Sequence, residues 1–180
     1  SLINLIPRFY DVRQGEVLVD GVDVKEYQFS QLRGMIGIVP QKAVLFKGTI
    51  RHNMQWRDKN ATDEDIWNAL DIAQAKDFVE KKPDKLDEMI LQEGKNLSGG
   101  QRQRLTIARA LVGDPEILIL DDSASALDLA TDARLRKAIH EKTSGMTVFI
   151  VSQRISSIKS ADKIIVLDDG KIAGIGTHSE

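Results

Sequence analysis

The chain has 180 residues, enough for one domain with a sizeable core. A net charge of −2 with 29% charged residues argues against a nucleic-acid-binding surface, and the lack of cysteine removes disulfides and thiolate metal sites. No apolar run approaches the roughly 18 residues that make a membrane-spanning helix.

Residues 2–9 read as a helix, and Glu16 to Val24 as a strand and turn centred on Asp20-Gly21. Ser30 to Arg33 starts a short helix before a strand at Gly37 to Val39. Thr62-Asp63-Glu64-Asp65 is a capping signal, followed by Ile66, Trp67, Leu70 and Ala73 at helical spacing. With Ala75 to Val79 this makes a helical subdomain in which Trp67 and Phe78 read as core. Glu80-Lys81-Lys82 reads as a solvated helix end.

Leu97-Ser98-Gly99-Gly100-Gln101 then heads the apolar helical run Leu105 to Leu111. Taken alone, Ser-Gly-Gly is a Ser N-cap with a loop glycine pair. At the head of a helix it also leaves backbone N–H groups bare, where the helix dipole favours an anion such as phosphate. Arg102 and Arg104 flank this start and are expected to pair with surface acids, with approach to phosphate as the alternative. Sixteen residues after Gln101, Ile117 to Leu120 reads as a strand buried on both faces, ending in Asp121-Asp122. Carboxylates at the C-terminal end of such a strand sit where open α/β sheets bind ligands, and Asp121 suits Mg2+. Thr131 to Lys142 reads as a helix carrying Ala133, Leu135, Ala138 and Ile139. His52, His140 and His178 are scattered without metal-ligand spacing and read as surface or packing residues.

The order of glycine-rich helix start, helix, apolar strand and acidic end resembles the ATP-binding domain of ABC transporters. Leu97 to Gln101 is similar to the signature motif, and Ile117 to Asp121 to the Walker B strand. Ile36-Gly37-Ile38-Val39-Pro40-Gln41 resembles the strand and Q-loop, continued in the style of exporters by Val44 to Asn53. Gln92 to Asn96 resembles the exporter loop that touches the coupling helices, Ser125-Ala126-Leu127-Asp128 the D-loop, and Thr147 to Arg154 the strand leading to the switch-histidine loop. The resemblance implies a P-loop NTPase-like α/β fold, a mostly parallel sheet flanked by helices. All of residues 1–180 form a partial ATP-binding domain, with the helical signature subdomain at about 50–112.

The resemblance also implies ATP and Mg2+ as cofactors. The ion falls to Asp121 and Gln41; nucleotide contacts fall to Gln41, Leu97, Ser98, Gly99, Gly100, Gln101 and Asp128. The implied assembly is a head-to-tail pair with a second ABC ATP-binding domain beside a transmembrane domain, at the cytoplasmic face of the cell membrane, exporting a substrate at the expense of ATP. No nucleic-acid partner is expected. Two positions depart from the family pattern: Asp122 stands where a catalytic Glu is usual, and Gln153 where the switch His is usual. Asp is one methylene shorter, and Gln cannot carry charge or shuttle a proton. These catalytic positions therefore read as a degenerate site, as in one half of a heterodimeric exporter. A Gly-x-x-x-x-Gly-Lys-Ser/Thr phosphate loop is absent from the sequence. Ser1 is expected to be its last hydroxyl or the next residue, with the first strands and the loop upstream, so the stretch alone is expected to lack ATPase activity. A soluble ABC ATPase and a non-catalytic fragment are the alternatives.

Overall fold

A computed structural model describes residues 2–180; Ser1, expected at the end of a phosphate loop, lies outside the described residues. The central sheet has three parallel strands in the order β3 (Ile36–Val39), β6 (Ile117–Asp121) and β7 (Thr147–Val151). Small antiparallel ladders lie outside it: β1 (Leu18–Val19) with β2 (Val22–Asp23), β4 (Gly48–Thr49) with β5 (Met89–Ile90), and β8 (Ile164–Asp168) with β9 (Lys171–Gly176). The β1–β2 turn falls on Asp20 and Gly21, both with positive φ, the backbone sign that two-residue hairpin turns require.

The apolar run of β6 is buried on both faces because each face meets its own core. Leu118 and Leu120 pack with α5 (Gly99–Leu111) and α6 (Leu129–Lys142), while Ile119 packs with Ile3, Val24, Leu32 and Ile36. Around α5 gather α2 (Ile50–Met54) and α3 (Asp63–Ile72), with α4 (Lys76–Glu80) against α3. The predicted capping signal is a closed box: Thr62 Oγ1 accepts from the Asp65 N–H, and the Asp65 carboxylate accepts from the Thr62 N–H at 2.8 Å. The Thr62 hydroxyl, donating to that carboxylate at 2.7 Å, and the Thr62 N–H together hold the Asp65 carboxyl below its ordinary pKa. Trp67 and Phe78 pack, partly buried, on the main core, and all three histidines are exposed.

One expected element is shorter than the sequence suggests. The helix expected at residues 2–9 is a single 3₁₀ turn, Leu2–Leu5, followed by irregular turns. Pro7 supplies no N–H and crowds the preceding turn, and Arg8 adopts φ 57°. Two further helices, α1 (Phe29–Gly34) before β3 and α7 (Ile155–Ile158) after β7, complete the layers.

Helix and sheet approach tightly at Gly37, where a Cβ would lie 2.5 Å from the Ala110 carbonyl oxygen of α5. Gly37→Ala is therefore expected to cost about 1–3 kcal/mol through overpacking. Gly174→Ala, at a position with nothing within 4 Å, should change the urea midpoint far less; equal shifts would contradict this account of the packing.

Candidate nucleotide site

Parallel pairing brings the three strand ends side by side. Val39 pairs with Leu120, and Asp121 with Val151, so Gln41, Asp121-Asp122 and Gln153 emerge along one edge of the sheet. The Gln41 amide donates to the Asp122 carboxylate at 3.4 Å, across 81 positions of sequence. Asp122 takes a left-handed conformation (φ 49°), and its N–H donates to the Val151 carbonyl at 2.8 Å, which turns the chain off the sheet. Asp121 and Asp122 are half-buried, and Gln153 is exposed.

These groups fit a shared magnesium site better than a protein-only cage. Among the described residues no cluster of three or more His, Cys, Asp or Glu side chains forms a metal cage. The Asp121 carboxylate and the Gln41 amide oxygen are hard oxygen donors of the kind Mg2+ takes when phosphates complete its shell.

The second half of the candidate site is the start of α5. Ser98 is its N-cap: Oγ accepts from the Gln101 N–H at 3.1 Å, and Gln101 Oε1 accepts from the Ser98 N–H at 3.0 Å. The box uses the N–H groups of Ser98 and Gln101, while those of Gly99 and Gly100 carry no bond among the described residues. This leaves two adjacent donors at the positive end of a 13-residue helix. A Cβ at Gly99 would make only ordinary contact, 3.7 Å from Ala126 Cβ, so packing within this chain does not demand a glycine there. Leu97 is buried beneath the turn. Asp128 caps α6, accepting from the Thr131 N–H at 2.8 Å and its hydroxyl at 2.9 Å, which with Arg134 nearby holds its carboxyl below the ordinary range.

Among the described residues the two arginines near the start of α5 form no ion pair with an acid. Arg102 Nη1 donates to the Leu97 carbonyl at 2.8 Å and more weakly to Gly94, while Arg104 donates to Gly100 and Gln74 carbonyls and lies over Phe78. Arg102 therefore holds the loop that precedes α5, and Arg104 ties the first turn of α5 to the turn after α3.

Three supporting side chains went unnoticed in the sequence. Asn53, fully buried, bonds both backbone groups of Phe46 at 2.9 Å and the Thr49 carbonyl, fixing the segment after Gln41. Gln103 is buried on α5 and bonds the loop after β6, as does Arg154 from the loop after β7. Gln103 left a readable signal: it lies four positions before Ile107 and seven before Ala110, a polar residue on an apolar helical face.

This α/β arrangement, with ligand-facing groups at the ends of parallel strands, is the fold of the P-loop nucleoside triphosphatases. Residues 1–125 match the family model described as ABC transporter, and the chain belongs to that family. It is 43% identical over 180 residues to the ABC transporter ATP-binding protein YwjA of Bacillus subtilis, itself uncharacterized, covering all of this chain and 31% of that protein. A Staphylococcus aureus relative, provisionally named a multidrug export ATP-binding/permease protein, is also 43% identical over 180 residues, again with 100% and 31% coverage. The solved structure of a bacterial Atm1-family ABC exporter with ATP bound superposes with a TM-score of 0.93 at 36% identity, covering 99% of this chain and 31% of that one. The chain thus spans about a third of the length of these relatives.

The cap and the bare donors of α5 are separable. Ser98→Ala removes the cap and should lower stability by about 1 kcal/mol, whereas Ser98→Thr should retain most of it. Chemical denaturation of the two variants checks this; equal stability of Ser98→Ala and the parent would remove the capping role.

Proposed function

We propose that this chain is the nucleotide-binding unit of a membrane exporter. It pairs head to tail with a second ABC ATP-binding domain, so that each ATP lies between one domain's strand ends and the other's signature helix. The proposal rests on one observation: two unsatisfied glycine N–H groups on a capped helix, at a point where this chain's own packing needs no glycine. Something outside the chain approaches closely there, and a phosphate on the partner's nucleotide has the matching charge. The names of the S. aureus relative and of the Atm1-family structure support the exporter reading.

In this reading Asp121 and Gln41 hold Mg2+, which when bound neutralises charge on the phosphates. Asp122 accepts the proton of the attacking water, and Gln153 donates its amide N–H to the γ-phosphate. Both act weakly. Asp122 has a shorter reach than Glu, and Gln153 offers a neutral donor in place of an imidazolium. The site on this chain therefore holds ATP longer than it hydrolyses it, and the partner domain, from a different chain, carries the faster site. Ser98, Gly99 and Gly100 complete that faster site by stabilising charge on its γ-phosphate, and Asp128 lies at the interface between the domains.

A groove suits the transmembrane partner. It has a volume of about 570 Å³, and its walls include Ile38, Phe46, Trp56 and Arg109. Phe46 and Trp56 stack at 4.5 Å between centroids, and Trp56 stays 62% exposed. Arg109 donates to the Val44 carbonyl at 2.9 Å, while its buried Nη1 has no hydrogen-bond partner among the described residues. The groove thus sets the Phe46–Trp56 pair beside the charged Arg33, Arg57 and Asp58 and adjoins the segment just beyond Gln41, which supports a mechanical route between a membrane domain and the nucleotide site.

Two measurements on the whole protein test the assignment. Ser98→Arg should lower steady-state ATPase activity by about 100- to 1,000-fold, whereas Asp122→Asn should leave most of it. The reverse order would make this chain the owner of the working site. Restoring the family pattern with Asp122→Glu and Gln153→His together should accelerate hydrolysis at this chain's own site by about 100-fold, read as loss of nucleotide trapped there. Equally fast turnover at both sites in the parent protein would end the asymmetric reading.

A further inference from the structure

The segment Ala124–Leu127, between β6 and α6, has no regular structure, yets its backbone is held from two sides by long side chains. From the loop after β7, Arg154 donates through Nη2 to the Ser125 carbonyl at 2.9 Å, and through Nη1 to the carbonyls of Leu127 at 3.2 Å and Ala124 at 3.4 Å. From α5, the Gln103 amide oxygen accepts from the Ala126 N–H at 2.9 Å, and its nitrogen donates to Ser125 Oγ at 3.4 Å. Within the segment itself one backbone bond is found among the described residues, Leu127 N–H to the Ala124 carbonyl at 3.0 Å. Arg154 has no carboxylate partner among the described residues, so its charge is directed entirely at these three carbonyls.

We infer that Arg154 is a positioning residue: it clamps the Ala124–Leu127 segment and, as the residue bonded to Gln153, fixes where the Gln153 amide stands. Gln103 ties the same segment to the helix that begins at Ser98, Gly99 and Gly100. One loop therefore links this chain's own strand-end groups to the glycine donors it presents to a partner. The geometry needs a guanidinium. Its planar fork sets one nitrogen against Ser125 and the other against Ala124 and Leu127, a fixed spread that the three donors of a single lysine nitrogen do not reproduce.

The clamp is separate from the bonds that dock α7. Ser157 Oγ donates to the buried Asp132 carboxylate at 3.0 Å, and Arg136 donates to the Ser156 carbonyl at 2.6 Å. Loss of Arg154 leaves both of these in place, so the loop loosens without the helix behind it coming away.

The functional part of this inference rests on the ATPase reading above, and the test has one arm that does not. In the whole protein, hydrogen exchange is compared for Arg154→Lys, Arg154→Met and, as a control in the same layer, Arg136→Lys. Both Arg154 variants should speed exchange at residues 124–127 and around Gln153 by about 10-fold or more, with β6 and α6 unchanged; Arg136→Lys should not. Unchanged exchange at 124–127 overturns the clamp whatever the ATPase does. In the kinetic arm, both Arg154 variants should lower kcat for ATP by about 10- to 100-fold with KM within about twofold, because a loosened loop misplaces groups without removing nucleotide contacts. Adding Gln103→Leu to Arg154→Met should deepen the loss by much less than the product of the single effects, since both act on one segment. Faster exchange with unaltered kcat, or fully multiplicative losses, overturns the positioning role. A parent protein that turns over no ATP overturns the ATPase reading and the positioning role with it, while the exchange arm still decides the clamp. If Arg154→Met yields no folded protein, Arg154→Lys alone decides both arms.

Discussion

The strand-end half of the candidate site depends on the parallel pairing of three short strands. Because β3, β6 and β7 run the same way, their C-terminal ends lie on one edge, and residues from three distant parts of the sequence, Gln41, Asp121-Asp122 and Gln153, become neighbours there. Parallel pairing requires crossover connections, and here those crossovers are the helices that cover the sheet. Leu118 and Leu120 face one core and Ile119 the other, so β6 cannot slip by a single residue without reversing both faces. The register that buries the apolar run therefore also fixes Asp121 and Asp122 at the edge.

Position and purpose divide differently at the start of α5. Its capping box is a local device that any well-made helix can use, and it satisfies two of the orphan donors. The donors it leaves free are the glycine pair, where side chains are absent although this chain's packing would tolerate one at Gly99. A glycine retained without an internal steric need points outward, to whatever approaches the helix end. Within the chain the same short motif acts as a structural cap.

Much of the polar framework serves backbone carbonyls instead of opposite charges. Arg102, Arg104, Arg109 and Arg154 all direct their guanidinium groups at loop carbonyls. Burial lowers the pKa of Arg104 and Arg109 from the ordinary arginine value, but both stay charged because that value is so high. Loops with few backbone bonds of their own are thereby held in defined shapes while still linked to separate elements.

The sequence by itself determined the elements with strong local signals. The Thr62 to Asp65 capping box, the Asp20-Gly21 hairpin, the apolar run before Asp121 and the glycine pair after Ser98 are each written in adjacent residues, because caps, turns and buried strands are decided within a few positions. The family pattern added Gln41, Asp128 and Gln153 as candidate site residues, and the fold sets Gln41 against Asp122 and Gln153 on the same strand-end edge. The helix expected at residues 2–9 shortened to one turn, because Pro7 and the left-handed Arg8 outweigh the apolar spacing. Only the tertiary structure decided what the long polar side chains do. Arg102 and Arg104 looked like surface charges, and Asn53, Gln103 and Arg154 carried no assignment. Their partners are backbone atoms of segments folded over them, up to 30 positions away in sequence. A side chain's residue type says that it can donate a hydrogen bond; which carbonyl comes within 3 Å is settled only when the chain packs.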